Sequence, residues 1–122
     1  MILFLDDNPY RTKKFLQCWP SAHTAETAAQ MIELLQNTRQ EPADFVFLDH
    51  DLGGEEGCDS NDVNTGMEVV RFVEDNKPLV RKFIVHTLNH PAGVRMREKL
   101  LDAGYEVVYI PFTVLAASGF VV

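Results

Sequence analysis

Acids and histidines punctuate this chain at the ends of its short apolar runs. Asp6 and Asp7 follow Ile2–Leu5, His23 follows Ser21-Ala22, Asp49-His50-Asp51 follow Asp44–Leu48, and His86 follows Phe83–Val85. Carboxylates crowded at one place raise one another's pKa or recruit a cation. An all-oxygen set suits Mg²⁺ or Mn²⁺, which keeps several waters and is completed by a phosphate. Asp7 and Asp49 are the pair expected to hold the metal; Asp6 or Asp51 either helps or merely caps a loop. Histidine ordinarily has a pKa near neutrality, so His50 and His86 can divide proton transfers as acid and base. Their order is open, and so is their orientation, because side chains alternate along a strand; each can equally hydrogen-bond a nearby loop. Arg11 either pairs with phosphate oxygens or neutralises Asp7. Thr87 and Asn89 can donate to a phosphate, although Asn89 also suits a helix N-cap. Thr65-Gly66 opens a helix whose free N–H groups could receive an anion, or a capping box explains it without a ligand. His23 and His90 are weaker candidates, and the run Gly54-Glu55-Glu56-Gly57 reads as a solvated loop rather than a metal site.

The elements that must position these residues alternate along the whole chain. Ile2–Leu5, Asp44–Leu48 and Phe83–Val85 are continuous apolar runs, as expected for strands buried on both faces. A weaker strand falls at Ser21–His23, and Glu106–Ile110 is a fifth strand. Between them, Asn8-Pro9 starts a helix running to about Cys18, and Thr27–Gln30 forms a capping box ahead of Ala28, Met31, Ile32 and Leu35 at helical spacing. Thr65–Glu68 forms a second capping box for a helix ending near Lys77-Pro78. Asn89 or His90 caps a fourth helix that ends at Gly104. Strand–helix alternation predicts one domain over residues 1–122: a doubly wound, five-stranded parallel sheet. Such sheets bind ligands in the crevice at the carboxyl ends of their strands, so four strand tips are expected to build one polar site. The acidic, Gly-rich stretch 53–64 is a loop of a length that often carries function. The tail, 112–122, is too short for a full amphipathic helix. It either covers the last strand as a shortened helix or packs on a second copy of the chain as a homodimer.

Composition narrows the partners. Lys and Arg number 11 against 18 Asp and Glu, a net charge of -7, which argues against sequence-independent binding to nucleic acid. A phosphate held locally by a metal or one arginine is still compatible. The two cysteines, Cys18 and Cys58, have no metal spacing and read as reduced thiols. No apolar run approaches a membrane span, and no charged n-region precedes the first strand, so the expected location is cytoplasmic.

Asp6-Asp7, Asp49, Thr87 and Pro111-Phe112 at successive strand ends resemble the receiver fold of two-component signalling. In that family the acidic pair and the strand-three aspartate hold Mg²⁺, and that aspartate takes up a phosphoryl group. The chain departs from the pattern: the receiver lysine before the proline of strand five is Ile110 here, His50 and His86 are additions, and the loop after strand three is enlarged. These departures resemble the cyclic-phosphate-processing receiver-like domains, through Leu5-Asp6-Asp7 with Arg11, Leu48-Asp49-His50-Asp51-Leu52, Thr65-Gly66, and His86-Thr87-Leu88-Asn89 with Gly93 and Met96. What that resemblance implies is a phosphoesterase-like enzyme acting on a cyclic phosphate of a nucleotide or an RNA end. The alternatives are a receiver phosphorylated on Asp49, and a non-catalytic pseudo-receiver that binds a partner through its apolar tail.

Overall fold

Ile2–Leu5 (β1), His23–Ala25 (β2), Ala43–Leu48 (β3), Val80–Val85 (β4) and Glu106–Tyr109 (β5) form one sheet in the computed structural model, which describes residues 1–54 and 56–122. The strand order is β2-β1-β3-β4-β5 and every pairing is parallel. Helices Pro9–Cys18 (α1), Ala28–Leu35 (α2), Gly66–Asn76 (α3), His90–Asp102 (α4) and Phe112–Ala117 (α5) cover both faces. This is the doubly wound fold that strand–helix alternation predicts. Among the described residues no helix is long and apolar enough to cross a membrane.

The period of two along each strand divides the core. Leu3, Leu5, Val46, Leu48, Phe83 and Val85 pack with Met31, Leu35, Val70, Val73, Met96 and Leu100 of α2, α3 and α4. Phe4, Phe47 and Ile84 point the other way, onto Phe15 of α1 and Phe112 and Leu115 of α5. Phe4 stacks on Phe15 with ring centroids 4.1 Å apart. Truncating a buried phenylalanine in such a stack costs roughly 3–5 kcal/mol. Which face a residue joins is therefore settled by its parity, and this carries over to the site.

Helix starts follow local chemistry. The Asn8 side chain accepts from the N–H groups of Tyr10 and Arg11, with Pro9 in the first turn. Thr27 and Gln30 close their capping box, and Asn89 caps α4 by accepting from Ala92 N–H. Lys77 ends α3 in the left-handed region at φ 49°. The box expected at Thr65–Glu68 does not form. Thr65 is fully buried and its backbone bridges Asp51, so its hydroxyl turns back to donate to Asp62 O while Glu68 pairs with Arg71.

Two further expectations change. His23 does not close a strand; it opens β2, pairs in register with Leu3 and is exposed. The strand continues because Ala25, not Ala22, is the residue the core buries. Of the acid and histidine groups expected at four strand tips, those of β1, β3 and β4 reach the carboxyl rim, while β2 ends there with exposed Glu26 in place of His23. The tail forms the shortened helix α5 on the chain's own sheet, where Phe112, Leu115 and Phe120 are buried; Val114 and Val121 are left exposed.

Candidate functional site

Strands β1, β3 and β4 stop in register, and their last rows continue one step further. Asp49 N–H donates to Leu5 O at 3.1 Å and His86 N–H donates to Leu48 O at 2.9 Å. Asp6, Asp49 and His86 therefore lie side by side, with the parity of Phe4, Phe47 and Ile84. They turn toward α1 and α5. Asp7 begins the loop to α1 and brings its carboxyl alongside, so that Asp6, Asp7 and Asp49 each offer an oxygen within 4.8 Å of the others.

Arg11, near the start of α1, meets this row. Its Nε and Nη2 donate to the two oxygens of Asp6 at 2.8 and 3.0 Å, and Nη2 lies 3.6 Å from Asp49 Oδ2. Burial works against the guanidinium charge, but the hydrogen bond and charge of Asp6 outweigh it and hold the pKa above its usual value. Of the two readings of Arg11, neutralisation is thus directed at Asp6 rather than Asp7. Asp6 also accepts from Asn8 N–H, so its hydrogen-bonding capacity is well used. Asp49 is different. Its Oδ1 accepts from His50 N–H, while Oδ2 is, among the described residues, the one buried side-chain oxygen or nitrogen without a hydrogen-bond partner. Burial and the neighbouring Asp6 push the Asp49 carboxyl up to about 8.

Asp49 and His86 of this row, with Asp7, form the floor of a cavity of about 560 Å³, while Asp6 is fully buried and not among its lining residues. Arg11, Asp7, Asp49, His86, Thr87 and Asn89 line it, with Asp51, Leu88 and Phe112, and with Gly54, Glu56 and Gly57 from the loop. His86 is 1 % exposed, stacks on Phe4 at 5.0 Å and meets the edge of Phe112 at 5.8 Å. Its Nε2 bonds Leu5 O at 3.2 Å, which as an acceptor fixes the proton on Nε2; Nδ1 keeps a lone pair, 3.9 Å from Asp6 Oδ2. Burial pulls its pKa down to about 4, so the ring is neutral at physiological pH.

The structure does not bring His50 into this cavity. His50 lies one residue past Asp49, has the opposite parity, and is fully buried on the α3 side. Both ring nitrogens are engaged: Nδ1 with Asp51 Oδ1 at 2.6 Å and Nε2 with Ser60 Oγ at 2.9 Å. Asp51 lines the cavity but stands outside the three-carboxyl cluster. Burial alone would raise its pKa, but hydrogen bonds from His50, Gly57 N–H and Asn89 hold the carboxyl below its usual range. Thr65 and Gly66 also lie apart. Gly66 N–H is spent on His50 O at 2.9 Å, so it is not free for an anion. The glycine is required by packing, since a Cβ there would sit 1.9 Å from Asp49 O.

Sequence reasoning missed the loop's part. Gly54 N–H donates to Asp7 Oδ2 and Gly57 N–H to Asp51 Oδ2, and both glycines have φ near +70°. Ser60 receives His50, and Arg71 of α3 donates to Ser60 O at 2.7 Å. The glycines were the available signal, because positive φ lets a loop turn its amides inward. Of the run Gly54–Gly57, Glu55 lies outside the described residues, and the other three sit at the cavity mouth.

A parallel five-stranded sheet with an acid-floored crevice at its carboxyl rim defines a receiver-type α/β domain. The family model of the cyclic-phosphate processing receiver domain matches residues 1–102, and the chain belongs to that family. Among curated proteins no sequence relative is found. Similar solved structures include the signal receiver domain of a Luxo repressor protein from Vibrio parahaemolyticus, with a TM-score of 0.67 at 16% identity, covering 96% of this chain and 81% of that one. Another is the Mn²⁺-bound form of response regulator Rcp1, with a TM-score of 0.59 at 13% identity over 98% and 88% of the two chains. At these identities the likeness is one of fold.

Proposed function

We propose that the domain is a divalent-cation-dependent phosphoesterase that opens a cyclic phosphodiester by adding water. The observation that carries this reading is Asp49 Oδ2, buried and without a hydrogen-bond partner beside two further carboxyls at the base of a cavity. An unsatisfied buried oxygen is costly, and an oxygen-only cluster fits Mg²⁺ or Mn²⁺. Asp7 and Asp49 would hold the cation, with Asp6 contributing beside Arg11. The Mn²⁺-bound state of the structural neighbour Rcp1 supports this. Once bound, such a cation polarises a phosphoryl oxygen and offsets its charge.

The remaining work falls to the chain's own residues. Arg11, Thr87 and Asn89 face the same cavity and orient the phosphate. Water attacks phosphorus in line; its oxygen bonds phosphorus as the ring P–O bond breaks. The water proton goes to Nδ1 of His86, whose other nitrogen is committed to Leu5 O. The leaving oxygen takes a proton from solvent reaching the cavity, giving a phosphomonoester and a hydroxyl. His50 acts at one remove, as a positioning residue through Asp51 and Asn89. Phosphorus NMR of nucleoside 2′,3′- and 3′,5′-cyclic phosphates tests the reading. The monoester should appear with Mg²⁺ or Mn²⁺ and stop when chelator is added. Unchanged diester with every cation would overturn it.

A second reading is favoured by the same Asp49 oxygen, which is equally open to a phosphoryl group, and by the signalling receivers that share the fold. Against it stands Ile110, apolar where receivers carry lysine. Incubation with acetyl phosphate should leave the intact mass unchanged. A near-stoichiometric gain of one phosphoryl group, lost in Asp49→Asn, would favour the receiver.

A further inference from the structure

The charges around the cavity discriminate among cyclic phosphates by what is attached to them. Asp7, Asp49, Asp51 and Glu56 line it, and Arg11 is the one cation among its lining residues. That arginine is already held by both oxygens of Asp6. The loop that contributes Gly54, Glu56 and Gly57 to that lining is acidic in sequence as well. In sequence, positions 53–64 hold Glu55, Glu56, Asp59 and Asp62 and neither Lys nor Arg; Asp59 and Asp62 are exposed. The chain as a whole carries a net charge of -7.

We propose that the site takes a small, singly charged cyclic phosphodiester of about mononucleotide size, and rejects the same cyclic phosphate at the end of an RNA chain. This rests on the phosphoesterase reading above. Three considerations lead to it. A cavity of about 560 Å³ is of the size that encloses one small ligand. A cyclic diester carries one negative charge, which one bound cation offsets. An RNA tail adds a charge per nucleotide, and outside the cavity it would meet a chain of net charge -7 in which Arg71, the cation that reaches the 53–64 loop, is already spent on Ser60 O, Asp62 O and Glu68. The same field acts on the product. Ring opening turns a monoanion into a monoester approaching two negative charges, so the acids that tolerate the substrate help expel the product.

The test compares kcat/KM for a nucleoside 2′,3′-cyclic phosphate, a nucleoside 3′,5′-cyclic phosphate and an oligoribonucleotide ending in a 2′,3′-cyclic phosphate, with Mg²⁺ at low ionic strength. A mononucleotide should exceed the oligonucleotide by about 10²-fold, the scale of electrostatic control of encounter. Added salt should shrink the ratio, because exposed charges are screened beyond roughly 10 Å. Asp59→Lys/Asp62→Lys should improve the oligonucleotide about tenfold or more and leave the mononucleotide nearly unchanged. An oligonucleotide turned over as well as, or better than, either mononucleotide would overturn this inference and leave the phosphoesterase reading standing. Turnover of none of the three would remove both.

Discussion

His86 is the first residue after β4 and His50 the second after β3, and that offset of one sends the two rings to opposite faces of the sheet. Both are buried, at 1 % and 0 % exposure. On the α1/α5 face, His86 sits among the rings of Phe4 and Phe112 and forms part of the cavity wall. On the α3 face, His50 spends both nitrogens on Asp51 and Ser60 and ties down the loop that overhangs the cavity. Like residues at neighbouring strand ends thus do different work. On the proposed reading the acid row, with an oxygen that lacks a hydrogen-bond partner, is the reactive side; the His50 side is hydrogen-bonded throughout and holds the loop and Asn89 in position.

The largest effect is expected on the reactive side. Asp49→Asn should weaken Mg²⁺ or Mn²⁺ binding by about 100-fold or more, since it removes a charged ligand. Thermal melts should then lose the upward shift that a native-state ligand produces. The cation-free variant should melt higher than the cation-free parent at neutral pH, because the parent must fold with Asp49 protonated against its unfolded tendency to ionise, whereas the amide carries no such cost and its oxygen still accepts from His50 N–H. An equal cation shift in both proteins would remove Asp49 from the site.

Between the two faces, Gly66→Ala should destabilise the fold by about 3 kcal/mol or more, because the new methyl group meets backbone at Asp49. Chemical denaturation measures it. A change under ~0.5 kcal/mol, the range of neutral surface substitutions, would mean that α3 can back away from β3.

The sharpest contrast comes from the histidines. His86→Gln should cut turnover about 10²-fold, the scale of a lost proton-transfer group, with hydrogen exchange of the 53–64 loop unchanged. His50→Ala should cut it only about tenfold, as for an outer positioning contact, and should accelerate exchange in that loop. Equal losses with no change in exchange would erase the distinction between the two faces.

The pH dependence of stability differs in sign for the two groups. His86 titrates at about 4 folded and near 6.5 unfolded, so the unfolded chain holds the extra proton between those values. Stability then falls as pH drops from 6.5 toward 4, by up to about 1.4 kcal/mol per unit. Asp49 titrates at about 8 folded against 3.8 unfolded, so the folded chain holds the proton and stability falls as pH rises from about 4 to 8. Without cation the two slopes oppose each other below pH 6.5, and the loss attributable to Asp49 stands alone from 6.5 to 8. In Asp49→Asn that alkaline loss should vanish. Melts at graded pH in chelator, parent against variant, decide it.

Much of this molecule was determined by sequence alone, because the signals are local. Apolar runs such as Asp44–Leu48, caps such as Asn8 and the Thr27–Gln30 box, and acids placed just past strand ends act within a few residues of themselves. They imply the doubly wound sheet and an acidic carboxyl rim. Tertiary structure decided the rest. Thr65 satisfies its hydroxyl in the preceding loop instead of capping α3, and His23 opens a strand because Ala25 is the residue the core buries. Arg11 chose Asp6 over Asp7, and the parity of His50 committed it to Ser60, ten residues away. Each of these outcomes depends on which partner is already satisfied and which face a side chain joins. Those are properties of the packed sheet, not of any short stretch of chain.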